Sequence, residues 1–184
     1  MLFRSQRILD HARHTHLPNG TTVYLRPLRE QDFQHADAYF RGLSARSRYL
    51  RFMIPTKALA PSALNELRQA MAGKGSAVTV AFVDHGPPRG EERIGGARVV
   101  PTSRRGTCEF AVSLVDAWQG RGAGMLLMKE VIHLARKLGY RRIEGQVLCI
   151  NLRMPAIDRH LLFAVRLDPT DPGVAIVSRP LYGS

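Results

Sequence analysis

Gly106-Thr-Cys-Glu-Phe-Ala-Val-Ser-Leu-Val-Asp-Ala-Trp-Gln-Gly-Arg-Gly-Ala-Gly124 changes character twice along its length. Its first half alternates, with Phe110, Val112 and Leu114 set against Glu109, Ala111 and Ser113. That period of two is the mark of a strand. Three glycines then crowd together at Gly120, Gly122 and Gly124. From Met125 to Leu138 the apolar positions recur at helical spacing: Leu126, Leu127, Val131, Leu134, Ala135 and Leu138. Glu130 is the one polar residue on that stripe. Strand, glycine loop and helix in this order suit a phosphate group. Glycines let backbone approach an anion without Cβ atoms in the way. The first turn of a helix presents unpaired N–H groups at the positive end of its dipole. Arg121 adds a permanent charge.

Two familiar phosphate-binding templates do not fit. No Lys-Ser or Lys-Thr follows the glycines, as a P-loop requires, and the third glycine comes one position too early for Gly-x-Gly-x-x-Gly. The loop does match Gln/Arg-x-x-Gly-x-Gly/Ala, as Gln119-x-x-Gly122-x-Gly124. That pattern resembles the acetyl-CoA pyrophosphate loop of the GNAT superfamily of N-acetyltransferases. Taken alone, the loop is also compatible with a strand-to-helix turn that holds no ligand.

Further pieces resemble the superfamily in the same order along the chain. They are Leu25-Arg26-Pro27-Leu28, Leu43-Ser44, Tyr49-Leu50-Arg51-Phe52, Glu109-Phe110-Ala111-Val112 and Asp171-Pro172-Gly173-Val174. Asn151-Leu-Arg-Met154 and the later Phe163 are similar to a pattern in the GNAT domains of bacterial protein lysine acetyltransferases. The resemblance runs from about Thr21 to Leu181. It implies an α/β fold, a mixed sheet of six or seven strands flanked by helices in a single domain over residues 21–184. It implies acetyl-CoA as cofactor, held by the backbone of Val112 and Leu114, by Gln119, Gly120, Arg121, Gly122, Ala123 and Gly124, and by Asn151. It implies an acetyl transfer to an amine, a protein lysine or a small amine such as a polyamine or aminoglycoside. A catalytically inactive acyl-CoA-binding or nucleic-acid-binding module is the alternative of another class.

Glu109, ten residues before Gln119, stands where similar lysine acetyltransferases carry a glutamate, so the resemblance implies it as the candidate general base. A lysine amine arrives protonated, with an ordinary pKa of about 10.4, and a positioned base must take that proton. A carboxylate in a largely apolar strand is costly unless it is paired or used, so an ion pair with an arginine is the competing role. The superfamily's tyrosine acid in the last helix has no counterpart, since the matching position is about Asp158. Leu162 replaces the glycine usual before Phe163, and Pro155 interrupts the expected helix Asn151–Leu161.

The remaining chain is read from local signals. Strands are expected at Thr21–Leu28, Ser76–Val83, Arg93–Val100, Arg141–Ile150, Leu162–Leu167 and Val174–Ser178, the last two as a hairpin. Helices are expected at Glu30–Leu43, Ala45–Phe52 and Ala63–Met71, with Gly139 as the C-cap of the cofactor helix. The resemblance implies that the region after the first strand shapes the acceptor pocket, where Arg46, Arg48, Arg51 and Tyr49 are candidates to meet an acidic acceptor; packing by Tyr49 and Phe52 with the arginines in solvent is the alternative. Residues 1–20 read as a basic mobile tail. His11, His14 and His16 within it lack the partners that would complete a metal site.

With 184 residues and 45% hydrophobic content, the chain suits one domain with a real core. Cys108 and Cys149 fall in expected strands without Cys-x-x-Cys spacing, which points to buried, reduced thiols and a cytoplasmic location. No apolar run approaches a membrane span, and no secretory signal is expected. The net charge of +12 attracts anions, coenzyme A among them. The arginines lack the motifs of dedicated nucleic-acid readers. Composition leaves monomer and homodimer open.

Overall fold

The computed structural model describes residues 12–151 and 160–182. Eight strands form one sheet: β1 (Arg13–His16), β2 (Thr22–Pro27), β3 (Ala77–Asp84), β4 (Glu91–Pro101), β5 (Thr107–Leu114), β6 (Arg142–Leu148), β7 (Ala164–Leu167) and β8 (Val174–Pro180). Their order is β1-β2-β3-β4-β5-β6-β8-β7. Every neighbouring pair is antiparallel except β5 and β6. A parallel pair needs a long crossover, and the helix Ala123–Lys137 supplies it. Three further helices, α1 (Ala36–Arg41), α2 (Ala45–Phe52) and α3 (Pro61–Ala72), precede it, so it is α4.

The sheet is covered on both faces. Strand β3 shows why: Ala77, Ala81 and Val83 join Leu127, Met128 and Val131 of α4, while Val78, Val80 and Phe82 pack with Leu28 and Ala70 opposite. Fully burying one such aliphatic side chain stabilises by about 1.5–3 kcal/mol. Thr79 is the polar exception on the α4 side. Its hydroxyl donates to Glu130 Oε1 at 3.2 Å, and Arg13 forms an ion pair with the same buried carboxylate. Glu130 thus sits on the apolar stripe of α4 because two partners on the sheet satisfy it.

The structure corrects several expectations. The sheet has eight strands, not six or seven, because Arg13–His16 is an edge strand rather than part of a tail. Leu17 plugs the core behind it, and Arg13 reaches Glu130. His14 and His16 lie on that strand, and no metal-binding group of acids, histidines or cysteines exists among the described residues. The helix read over Glu30–Leu43 is a 3-10 turn, Glu30–His35, followed by α1. Cys149 lies beyond the end of β6 and is exposed, whereas Cys108 is buried as read. Burial pushes the Cys108 thiol up to about 12. Pro155, Asp158 and most of the Asn151–Leu161 helix lie outside the described residues.

Two irregularities shape the functional region. First, β5 and β6 pair only through Thr107↔Arg142, Cys108↔Ile143 and Glu109↔Glu144. Beyond Glu109 both strands continue without partnering each other, so the sheet splits there. Second, the β3–β4 register slips between Ala81 and Phe82: Ala81 faces Gly95, but Phe82 faces Arg93. The extra residue, Ile94, turns into the α4 core and is fully buried. A bulge of this kind reverses the in-out alternation that follows it. It places Arg93 on the same sheet face as Gly96 and Arg98.

Candidate active site

A cavity of about 470 Å³ lies over that face. Strands β4 and β5 form its floor, with Arg93, Gly96, Arg98, Glu109, Ala111 and Ser113. Helices α1, α2 and α3 wall it with Tyr39, Phe40, Leu50, Arg51, Phe52, Ala63 and Leu67. Val112, Val147 and Asn151 line it where the strands part. The volume suits a small ligand or an inserted side chain.

Glu109 is half-buried at the last paired position before the split. It forms no ion pair among the described residues. Arg51 is its cationic neighbour. Burial pushes the Arg51 guanidinium down to about 10, and the like charge of Arg98 adds to this, against the pull of Tyr39, Glu109 and Glu66. Tyr39 shares a 2.9 Å hydrogen bond with Ser113 Oγ, and Arg93 lies over its ring at 4.2 Å. Burial raises the Tyr39 phenol, partly offset by Arg93 and Ser113, so it stays neutral at ordinary pH.

The split has the polarity that an extended ligand needs. The Val115 N–H donates to Ile94 O on β4. Alternation along the strand then turns the amides of Val112 and Leu114 away from β4, toward the gap. The Leu114 carbonyl is already engaged. Gln119 Nε2 donates to it at 3.1 Å and to Ser47 Oγ at 3.0 Å, so this side chain braces the loop against β5 and α2. The Ser44 N–H donates to Asp116 Oδ1, fastening the start of α2 to the same turn.

The loop ends on the N-terminus of α4. Gly122 is its N-cap with φ of +92°, a conformation that side chains rarely adopt. A Cβ on Gly122 would also lie 2.8 Å from Pro18 Cδ. Leu126 is the first residue of α4 whose N–H finds a helical acceptor, Gly122 O. The N–H groups of Ala123, Gly124 and Met125 precede it and have no intrahelical acceptor. Gly120 also has positive φ, and exposed Arg121 stacks over Trp118. This bare, positively polarised loop beside an open strand edge fits a diphosphate joined to an amide chain.

Sequence reasoning placed Glu109, Val112 and Asn151 together, and they line one cavity. The loop residues and Leu114 follow on the same strand–loop–helix passage. Of the arginines named with α2, only Arg51 enters the cavity. Arg48 instead stacks on Phe40 and donates to Leu43 O, and Arg46 reaches Ile150 O. Arg93 and Arg98 were missed. Simple alternation puts residues 93 and 98 on opposite faces, and only the bulge unites them. The Gly95-Gly96 pair inside a strand was the available signal, since strand glycines often mark bulges.

Residues 22–163 match the acetyltransferase (GNAT) domain family model. An acetyltransferase of Pseudomonas aeruginosa is 30% identical over 155 residues, which are 84% of this chain and 82% of that protein. The GNAT domain of PAT from S. lividans superposes with a TM-score of 0.78 at 21% identity, covering 92% of this chain and 96% of that one. The structure of yncA from Salmonella typhimurium with its cofactor acetyl-CoA gives a TM-score of 0.67 at 18% identity, with 88% of this chain and 95% of that one covered. Family model and sequence relative agree with the geometry: this chain belongs to the GNAT acetyltransferases, acyltransferase enzymes that use acetyl-CoA to acetylate an amine.

Proposed function

We propose that the acceptor is a protein lysine and that Glu109 is the general base that deprotonates it. The observation that carries this reading is the position of Glu109. It is the residue at which the sheet splits, and it forms part of the floor of a cavity whose helical walls are largely apolar. A lysine side chain is an apolar stem with a charged tip. It gains by lying along apolar walls while its nitrogen meets a polar group at the end.

Acetyl-CoA supplies the activated acetyl thioester. The N–H groups of Ala123, Gly124 and Met125, with Arg121, hold its diphosphate. The free amide groups of Val112, the Leu114 N–H and Asn151 hold the arm that leads to the thioester. Gln119 holds the loop in place. Glu109 takes the proton from the acceptor ammonium, leaving the nitrogen lone pair free to attack. Phe52, Leu50 and Leu67 shield that proton transfer from bulk water. Both free thiols, Cys108 and Cys149, suit a reducing cytoplasm. No described helix is long and apolar enough to cross a membrane.

The test is incubation with acetyl-CoA, lysine peptides and small polyamines, read by mass spectrometry of the acceptors. A mass gain of one acetyl group on peptide lysines, faster than on spermidine, is the expected result. Acetylation of spermidine alone would overturn the protein-lysine reading.

A further inference from the structure

The acceptor half of the cavity holds more positive charge than its own carboxylates cancel. Strand β4 contributes Arg93 and Arg98, and α2 contributes Arg51. Glu66 of α3 and Glu109 of β5 are the only acids among the described lining residues. Arg98 meets Glu66 at 3.4 Å, but the Glu66 side chain is 64% exposed, and exposed pairs contribute little. Asp32, the other carboxylate close enough to influence Arg93, is held by both guanidinium nitrogens of Arg26 at 2.7 and 2.8 Å. The Arg51 guanidinium stacks over Phe52 and makes no hydrogen bond or ion pair with any described residue.

Two of the three guanidinium groups carry a specific deficit. Nε of Arg93 and Nε of Arg98 are both buried and have no hydrogen-bond partner among the described residues. Buried polar groups are nearly always paired, and leaving one unsatisfied costs about 1–3 kcal/mol, more when it is charged. The chain has gone to some length to create this situation. A bulge brings Arg93 onto the Arg98 face, and Gly96 between them keeps that face low. A Cβ on Gly96 would lie 3.4 Å from Arg93 Nη2. Stacking on Tyr39 holds Arg93 in place.

We propose that Arg51, Arg93 and Arg98 bind a carboxylate carried by the acceptor itself. The substrate is then an amine with an acid group nearby: a lysine next to Asp or Glu, or a free amino acid. This rests on the reading that the cavity acetylates amines at Glu109. Among the described lining residues three guanidinium groups stand against two carboxylates, one of them the exposed Glu66, so the cavity favours an anionic group over a bare cation. The planar fork of arginine matches carboxylate geometry. The ammonium of such an acceptor lies toward Glu109 and its acid toward the arginines. The same cations disfavour a bare ammonium, so an acceptor without an acid enters against the field.

Two matched pairs of acceptors test this. One pair is a lysine peptide with glutamate at the neighbouring positions and its glutamine twin. The other is Nα-acetyl-lysine and its C-terminal amide. With the wild-type protein, kcat/KM for the acidic member should exceed that of its neutral twin by on the order of 10-fold, about 1.4 kcal/mol. The difference should sit mainly in KM. In Arg98→Gln and Arg93→Gln, folded by circular dichroism, the ratio should fall toward one, whatever the absolute rates. A preference in the peptide pair marks a protein acceptor; a preference confined to Nα-acetyl-lysine marks a small one. Equal rates within both pairs, or a preference that survives both arginine variants, would overturn the proposal. Calorimetric titration with Nα-acetyl-lysine and its amide separates this from the acetylation reading. If no amine is acetylated, binding of the carboxylate form alone, lost in Arg98→Gln, still upholds the anion site. Equal binding, or none, removes it.

Discussion

Asp32 is 6% exposed, yet its carboxyl is held below the usual range. Burial alone would raise it. The two-pronged hydrogen bond from Arg26 and the Arg29 N–H at 2.7 Å outweigh that burial. A carboxyl whose folded pKa lies below its unfolded value of about 3.9 stabilises the fold above that value, and the stabilisation is lost as pH falls through the folded pKa. Asp32→Asn leaves the part-buried Arg26 without its counter-ion and should cost about 1–3 kcal/mol at neutral pH. Urea melts of wild type and variant should show that gap narrowing as pH falls below about 4; a constant gap down to pH 3 would contradict the assignment. The residue scale also marks the limits of reading. The place of Glu109 on the cavity floor was legible, from the resemblance and because a carboxylate in an apolar strand needs a reason. Arg93 was not, because the bulge that turns it into the cavity depends on pairing with β3 and has no marker beyond two adjacent glycines.

Gly122 belongs to a larger unit, the passage from β5 through the loop into α4. Strand, glycines and helix were all legible there, since period and composition change sharply at each boundary. Local signals of that strength survive any tertiary context. Strand β1 was illegible for the opposite reason. Arg13-His-Thr-His16 has no apolar alternation, and it joins the sheet through backbone pairing with β2 and through the ion pair of Arg13 with Glu130. The Gly122→Ala variant tests the loop. The new Cβ meets both a positive φ and Pro18, so the loop must shift away from the helix N-terminus. Acetyl-CoA affinity, by calorimetry, should fall at least about 10-fold, or 1.4 kcal/mol. The α4 core, with Leu127, Met128 and Val131 fully buried, should remain folded. Unchanged affinity in the folded variant would take the diphosphate away from this loop.

At the scale of the whole molecule, the sheet is continuous except at one place. It opens where β5 and β6 part, and α4 begins at the far end of the open edge. The mixed α/β architecture and the order of its central elements were legible, because each short motif sat on an element whose type it also signalled. The cavity was not, since its described lining comes from seven elements spread along the chain. One measurement bears on the whole arrangement: the single-turnover acetylation rate of wild type and Glu109→Gln across pH, with thermal stability and acetyl-CoA affinity measured on the same preparations. With Glu109 as base, the variant keeps stability and affinity but loses on the order of 10²–10⁴-fold in rate at neutral pH. That loss shrinks as pH rises toward the amine pKa of about 10.4, where the acceptor is already neutral. A stable Glu109→Gln variant with wild-type rate at neutral pH would contradict the account.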